Sequence, residues 1–285
     1  MRVLVVLLVV AAAAIGSAAP AQTVFIGSGS STTQAVTDFR NATGPLNANV
    51  SGSFNTGRRE INWDGVPDAF AAPNNLPANF FNANSPRGAV FSTPGSGFQV
   101  SANAANAFAA PIEFGNIDPS YPQVFTTFSA QRLFTPIGSN ILDVSFFIPG
   151  SNTPAFVTGF GVVFSDVDIA GSTSLSFFGA NNLALGTWAV PSIAGNETLS
   201  FLGVLFGDAI VSRVRITSGN TALGPGVLDS GNIDLVVMDD FIFGEPTLAA
   251  AVPEPASWAL MLLGFVAIGV GMRRRSSDTA TLRMA

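Results

Sequence analysis

The residues of this chain that can carry chemistry are its carboxylates. The chain has no histidine and no cysteine, and all 12 of its basic residues are arginine. Two acid pairs stand out: Asp166 and Asp168 lie two residues apart, and Asp239 and Asp240 are adjacent. Carboxylate oxygens are ligands that Ca²⁺ prefers. In a strand, the first pair shares one face, whereas the second pair points to opposite faces, so that at most one of its members faces inward. Either pair is therefore a candidate for a structural Ca²⁺ site; the alternative is that they are solvated acids at strand ends.

The densest polar stretch of the chain, residues 57–65, offers a second kind of chemistry. In this stretch Trp63 lies between Asn62 and Asp64. An indole ring can stack on a sugar while an amide and a carboxylate bind its hydroxyl groups, so these three residues are candidate sugar contacts. Glu60 and Asp64 are also a candidate acid/base pair for glycoside hydrolysis. The alternative is that Trp63 belongs to the core and the charges pair locally.

Composition excludes several other functions. Without histidine and cysteine, the usual Ser or Cys triads cannot be assembled. The sequence contains no P-loop, G-x-S-x-G or H-E-x-x-H motif. Between Gln22 and Ala251 there are seven arginines and sixteen acidic residues, a net charge of −9. A body of this charge repels nucleic acid. We expect no enzymatic activity and no nucleic-acid partner.

The N-terminus has the pattern of a secretory signal peptide. Met1-Arg2 gives a positive start, an apolar run covers residues 3–15, and small residues follow. Ala19 and Ala21 fit an A-x-A cleavage site for signal peptidase. We expect residues 1–21 to be removed, which leaves a mature chain that starts at Gln22.

The C-terminus has the pattern of a short membrane anchor. Residues 256–272 contain no charge, and three arginines follow at once. Seventeen helical residues span about 25 Å, close to the ~30 Å of a bilayer core. The arginine cluster favours a cytoplasmic position for residues 273–285, with the rest of the chain on the other side of the inner membrane. Before the span, two prolines flank Glu254 and hold the segment extended, which is the form a protease cleft accepts.

Residues 252–275 closely resemble the PEP-CTERM sorting domain in its PEPxxWA form. The residues that carry the resemblance are Pro253, Glu254, Pro255, Trp258, Ala259, Arg273, Arg274 and Arg275. The order of motif, short span and arginine cluster is specific, and only the extra tail from Ser276 to Ala285 departs from it. The resemblance implies recognition and cleavage near the Pro-Glu-Pro element by an exosortase, a membrane cysteine protease-transpeptidase of Gram-negative bacteria that make exopolysaccharide.

The segment between the two ends is predicted to be an all-β body at residues 22–247, joined to the span by a linker at 248–255. Seven candidate strands, rich in Val, Ile, Phe and Thr, cover residues 141–148, 156–164, 174–178, 183–190, 199–206, 210–217 and 233–243. Asn181-Asn182 is predicted to form a hairpin turn. No segment shows ten residues of clean helical periodicity. The spacing favours a two-sheet sandwich whose interior is filled by the 25 phenylalanines.

The order of the last strands resembles the jelly-roll modules of PEP-CTERM proteins and of carbohydrate-binding proteins. In such modules an Asp of the final strand often holds a structural Ca²⁺. We therefore expect a non-enzymatic, exported protein: an inner-membrane-anchored precursor, then a cell-surface or extracellular-matrix protein of a Gram-negative bacterium. Its jelly-roll body would bind exopolysaccharide weakly. The alternatives are a secreted glycan hydrolase that uses Glu60 and Asp64, and a purely structural matrix protein.

Overall fold

The computed structural model describes residues 20–248 and 261–269 of the chain. Residues 20–248 belong to one compact unit, and residues 261–269 belong to a second. Two helices in the first unit are α1 (Thr32–Thr43) and α2 (Phe80–Ala83). The strands are β1 (Gln22–Ser28), β2 (Arg58–Ile61), β3 (Ala89–Ser92), β4 (Gly97–Val100), β5 (Phe134–Ile137), β6 (Ile141–Phe146), β7 (Gly159–Ser165), β8 (Ser174–Phe178), β9 (Ala184–Ala189), β10 (Leu199–Phe206), β11 (Arg213–Thr217) and β12 (Val237–Gly244).

These strands form two antiparallel sheets, which confirms the predicted all-β sandwich. The larger sheet has the order β1-β10-β7-β12-β5-β4, and β2 also pairs with β12. The smaller sheet has the order β3-β6-β11-β8-β9. The two inner faces enclose the main core, which is rich in phenylalanine. Phenyl rings supply large apolar area without a polar group that needs a partner, so they suit a dry space between sheets.

The strands of the second half of the body lie close to their predicted positions. Strands β8 and β10 have the predicted bounds, and the other five lie inside or within one residue of their predicted segments. Strands β8 and β9 pair as a hairpin. Asn181 and Asn182 at its tip have φ of 54° and 59°, the left-handed values that two-residue hairpin turns require and that Asn tolerates.

Helix α1 forms in a segment where the sequence shows no clean helical periodicity. Helix α1 has 12 residues and lies on the outer face of the larger sheet, where Val36 and Phe39 pack against Val163 and Phe201. Phe39 fits over two glycines: a Cβ added to Gly203 would lie 2.7 Å from the phenyl ring, and one added to Gly161 would lie 2.9 Å from it. The helix buries Thr32, Ala35, Val36, Phe39 and Thr43.

Strand β12 is buried at every residue because both faces of the larger sheet are covered near it. Its inner face meets the main core, and Ile242 on its outer face meets α1. A third cluster, built on loops around Tyr121 and Phe125, covers Val237 at the start of the strand. Burial on both faces explains why most residues of Val237–Gly244 are apolar. It also makes the burial of Asp239 and Asp240 at the centre of this strand energetically unfavourable unless they are hydrogen-bonded.

Most of the predicted terminal elements lie outside the described residues. Residues 261–269 are helical with exposed side chains, within the segment predicted to span a membrane. Among the described residues, no helix combines the length and the apolar character needed to cross a bilayer. Ala21 directly precedes β1. Ala19 and the sorting residues Pro253, Glu254, Pro255, Trp258, Arg273, Arg274 and Arg275 are not among the residues that the structure describes.

Candidate functional site

The first candidate site lies where β7 ends, at Asp166. This residue has a φ of 72°, in the left-handed region that a non-glycine residue rarely adopts. Its side chain is fully buried, and neither carboxylate oxygen has a hydrogen-bond partner. Nearly all buried polar atoms in folded proteins are paired, so an orphan carboxylate points to a missing partner.

Two further carboxylates converge on Asp166. One oxygen from each of Asp166, Asp168 and Asp229 lies within 4.8 Å of the other two, and Asp168 and Asp229 are half-buried. Burial, followed by the charges of Asp229 and Asp168, raises the pKa of Asp166 to about 9. Burial also raises the pKa of Asp229, although the Leu235 amide opposes this shift. The three groups therefore form a cluster of acids, none of which pairs with an arginine.

A fourth acid, the buried Asp234, organises the backbone around this cluster. Its carboxylate accepts hydrogen bonds from the amides of Asp168 (3.1 Å) and Ile169 (3.2 Å) and from the hydroxyl of Ser172. Asp168 in turn accepts a bond from the Gly195 amide at 2.9 Å. These bonds hold the loop after β7 against the loop before β12, and thereby bring Asp168 and Asp229 together.

The sequence pointed to Asp166 and Asp168 but not to Asp229 or Asp234. The expectation that the first two share the face of a strand is wrong, because both follow β7 in an irregular loop. They converge because the left-handed turn at Asp166 redirects the chain. The available signal for the other two was the acid-containing, Gly/Asn-rich stretch 229–234 just before the last strand.

The second predicted acid pair, Asp239 and Asp240, has a different environment. The expectation that the two side chains point to opposite faces is wrong, because both are buried and both contact the hydroxyl of Ser129. The register of β12 against β7 shifts between Met238 and Phe241, and this β-bulge breaks the alternation of faces. The hydroxyl of Ser129 lies 3.1 Å from an oxygen of Asp239 and 2.7 Å from one of Asp240.

Protein donors satisfy this second pair. Asp239 accepts the amides of Phe128 (2.6 Å) and Ser129 (3.2 Å), and Asp240 accepts a guanidinium N–H of Arg40 at 2.8 Å. Burial, and then the charge of Asp240, hold the pKa of Asp239 well above its usual range. A protonated Asp239 can donate a hydrogen bond to the Ser129 oxygen, while the Ser129 hydroxyl donates to Asp240. Within residues 20–248, neither acid belongs to a group of three or more potential metal ligands.

The predicted stacking of Trp63 on a sugar ring is wrong. Only 1% of Trp63 is exposed, and its indole stacks on Phe134 with centroids 4.1 Å apart and an interplanar angle of 4°. Its Nε1 donates to the backbone oxygen of Asp239 at 2.7 Å. The indole therefore presents no free face, as the alternative interpretation required. Asn62 is exposed, and Asp64 accepts the amides of Gln131 and Arg132 at 2.6 and 3.2 Å.

Glu60 is part of an ion-pair network. Strand β2 alternates, so that Arg59 and Ile61 are buried on one side while Arg58 and Glu60 face α1. Glu60 binds Arg40 through two hydrogen bonds, of 3.0 and 2.8 Å, and Arg58 through one of 2.5 Å. Burial raises the pKa of Glu60, but the bonds from Arg40 and Arg58 more than offset this and leave it below its usual range. A general acid needs the opposite shift.

A pocket of about 340 Å³ opens beside Trp63. Its polar lining comes from Asn62, Asn84, Ser85 and Arg87, and the half-buried ring of Phe70 forms part of its apolar wall. Arg87 donates to the backbone oxygen of Glu60 at 2.7 Å. Burial, and then the neighbouring charge of Arg59, lower the pKa of Arg87 to about 10. The pocket thus combines hydrogen-bonding groups with one partly exposed aromatic face.

The comparisons with known proteins concern the C-terminus. Residues 251–275 match the family model described as the PEP-CTERM protein-sorting motif. No curated protein and no solved structure matches the chain. The matched range contains every residue on which the resemblance rests, from Pro253 to Arg275. The chain is therefore a protein that carries a PEP-CTERM sorting motif, which implies export, a membrane-anchored precursor and processing by an exosortase.

Proposed function

We propose that this protein is a non-enzymatic β-sandwich that exosortase processing delivers to the cell surface or extracellular matrix of a Gram-negative bacterium. The observation that carries the proposal is the sorting motif at residues 251–275. The body ends just before this motif. Thr247 forms the last bridge, with Phe156, through backbone hydrogen bonds of 2.8 and 2.9 Å. Cleavage near Pro253-Glu254-Pro255 therefore leaves every described contact of the body intact.

The charge distribution supports a matrix role over a nucleic-acid role. The body contains seven arginines, and six of them form ion pairs with acids of residues 20–248. The seventh, Arg87, donates to the backbone of Glu60. With its arginines engaged and an excess of acids, the body offers little attraction to a polyanion. A neutral or cation-bridged polysaccharide is compatible with such a surface.

The environment of Glu60 supports the proposal that the body is not a glycan hydrolase. Two arginines hold its carboxylate ionised, so it has no proton to give to a leaving group at neutral pH. The hydrolase alternative makes a clear prediction of its own: Glu60→Gln would abolish the release of reducing sugar from the host exopolysaccharide. Equal, background release by the parent chain and Glu60→Gln would support the non-enzymatic proposal.

A second candidate function, weak sugar binding, is favoured by the pocket beside Trp63. The amides of Asn62 and Asn84 and the hydroxyl of Ser85 can bind sugar hydroxyls, while the ring of Phe70 covers an apolar sugar face. A glycan array and titration with host exopolysaccharide test this function. We expect binding to weaken in Asn84→Ala and to persist in Asn220→Ala, which changes an Asn outside the pocket. Absence of binding by the parent chain would leave the purely structural matrix role.

Comparison of a host that has its exosortase with a strain that lacks it tests the sorting function. We expect the mature body at the cell surface or in the medium of the first strain. In the second strain, the body should remain in the inner-membrane fraction. An identical distribution in both strains would overturn the proposal.

A further inference from the structure

We propose that Asp166, Asp168 and Asp229 form a binding site for one divalent cation, Ca²⁺, which joins the loop after β7 to the loop before β12. This proposal is independent of the sorting function, because it rests on the interior of the body and not on the C-terminal motif. It assigns a ligand to a cluster for which the protein itself supplies no counter-charge.

The strongest observation is the state of Asp166. The residue is fully buried, neither oxygen has a hydrogen-bond partner, and one oxygen lies within 4.8 Å of an oxygen of Asp168 and of Asp229. A buried carboxylate without donors is strongly unfavourable. Ionised Asp168 and Asp229 can only accept hydrogen bonds, so they offer no donor to Asp166. Only a proton or a cation between the three carboxylates can stabilise the cluster.

A cation fits this space better than a proton does. One proton neutralises one carboxylate, whereas a divalent cation attracts all three. None of the seven arginines of the body forms an ion pair with the cluster. Asp168 and Asp229 each have one oxygen fixed by a backbone amide, of Gly195 and Leu235 at 2.9 and 2.8 Å, which leaves the other oxygen for an ion.

The ligand chemistry selects the cation. Three carboxylates provide hard oxygen ligands, and the chain has no histidine or cysteine for a softer metal. The ligands come from two loops rather than from regular strands. Ca²⁺ accepts such variable geometry and takes further ligands from carbonyls and water, whereas Mg²⁺ demands a near-ideal octahedron.

Bound Ca²⁺ would act as a clamp on one end of the sandwich. The loops after β7 and before β12 already meet through Asp234, which accepts the amides of Asp168 and Ile169. In the absence of the ion, the burial of Asp166 without a donor and the repulsion between Asp168 and Asp229 oppose this contact. Extracellular modules commonly bind Ca²⁺ with Kd values of about 10⁻⁴–10⁻³ M, so the clamp would close after export.

Thermal unfolding of the full chain purified in detergent tests this proposal. The protein is first treated with EDTA and then titrated with CaCl₂ or MgCl₂ at pH 7, and binding heat is measured in parallel. We expect Ca²⁺ at about 100 times its Kd to raise Tm by roughly 5–10 °C. Asp166→Asn should lose this rise, while Asp208→Asn, which removes an exposed acid elsewhere, should keep it.

Each outcome separates the alternatives. In EDTA at pH 7, Asp166→Asn should unfold at a higher temperature than the parent chain. With a pKa of about 9, the buried carboxyl must take up a proton when the chain folds, whereas an amide need not. If Asp166→Asn fails to fold, the half-buried Asp229→Asn provides the same test. No response of the parent chain to Ca²⁺ or Mg²⁺ up to 10 mM, or an unchanged response in the folded variant, would overturn the site. A stronger response to Mg²⁺ would overturn the assignment to Ca²⁺.

Discussion

The buried ion pair of Arg59 and Glu245 joins strand β2 to the end of strand β12 within the body. The side chain of Arg59 is fully buried, and 2% of that of Glu245 is exposed. Two parallel hydrogen bonds of 2.7 Å join them, from Nε to Oε2 and from Nη2 to Oε1. Glu245 also accepts Asn47 Nδ2 at 2.8 Å and the Phe54 amide at 3.2 Å. One carboxylate thus holds the end of β12 against the loop that precedes β2.

Glu245→Gln removes the charge with little change in shape, and we expect it to be severely destabilising. Removing one partner of a buried ion pair typically costs 3–5 kcal/mol, because the other charge stays buried and unpaired. Arg59 keeps backbone acceptors, among them the carbonyls of Ala48 at 2.6 Å and Gly52 at 3.1 Å. These bonds place the cost at the low end, about 3 kcal/mol. For a body of this size, that cost corresponds to a fall in Tm of about 6–12 °C.

Urea unfolding at pH 7, followed by tryptophan fluorescence, measures this cost. Asp143→Asn is the matched control, since it also removes an acid that pairs with arginine. Its partners Arg213 and Arg215 are 21% and 46% exposed, so the expected loss is only about 1 kcal/mol. A loss below 1 kcal/mol in Glu245→Gln, or a loss equal to that of Asp143→Asn, would refute the reasoning.

Two further substitutions test other parts of the structure. Gly203→Ala should lower the free energy of unfolding by about 1–3 kcal/mol, since the added Cβ would lie 2.7 Å from Phe39. Gly207→Ala, whose Cβ would have no atom within 4 Å, should lower it much less. Equal losses in the two variants would contradict the packing of α1. Glu60→Gln should cost about 1–2 kcal/mol at pH 7. The pKa of Glu60 is lower in the folded than in the unfolded chain, so its contribution to stability is present above the unfolded pKa and is lost as pH falls through the folded pKa. The difference in unfolding free energy between the parent chain and Glu60→Gln should therefore shrink below about pH 4. A difference that stays constant from pH 7 to pH 3 would argue against the ion-pair network around Glu60.

The sequence predicted the strands best where local signals and tertiary environment agree. Strands β8 and β10 combine Phe, Leu or Val with flanking Gly, Asn or Pro, and both are found at the predicted bounds. Helix α1 was missed because its buried face consists mostly of small or hydroxyl-bearing residues, with Phe39 as the only large one. Its spacing is helical, but the threonines weaken both the helix propensity and the apolar pattern.

The candidate site was only half predictable for a different reason. Asp166 and Asp168 attract attention through their spacing, whereas Asp229 reaches them only through the fold, from more than sixty residues away. The bulge at Asp239 depends on the register between β12 and β7, and no pattern in the sequence around Asp239 indicates it. Trp63 stands among polar neighbours, yet its stacking partner, Phe134, comes from a distant strand. Burial of this kind is a property of long-range contacts, which a local pattern does not encode.

The identity of the C-terminal segment is the central claim, and it is tested most directly by following both ends of the chain in the host. One epitope tag is placed in the exposed loop at Gly226 and a second after Ala285, and the masses of the products are measured. We expect the parent chain and the tail variant Asp278→Ala to lose the second tag and to leave the inner membrane. The triple variant Pro253→Ala, Glu254→Ala, Pro255→Ala should keep both tags and remain there. Equal processing of the triple variant and the parent chain would contradict the assignment of residues 251–275 as the sorting signal.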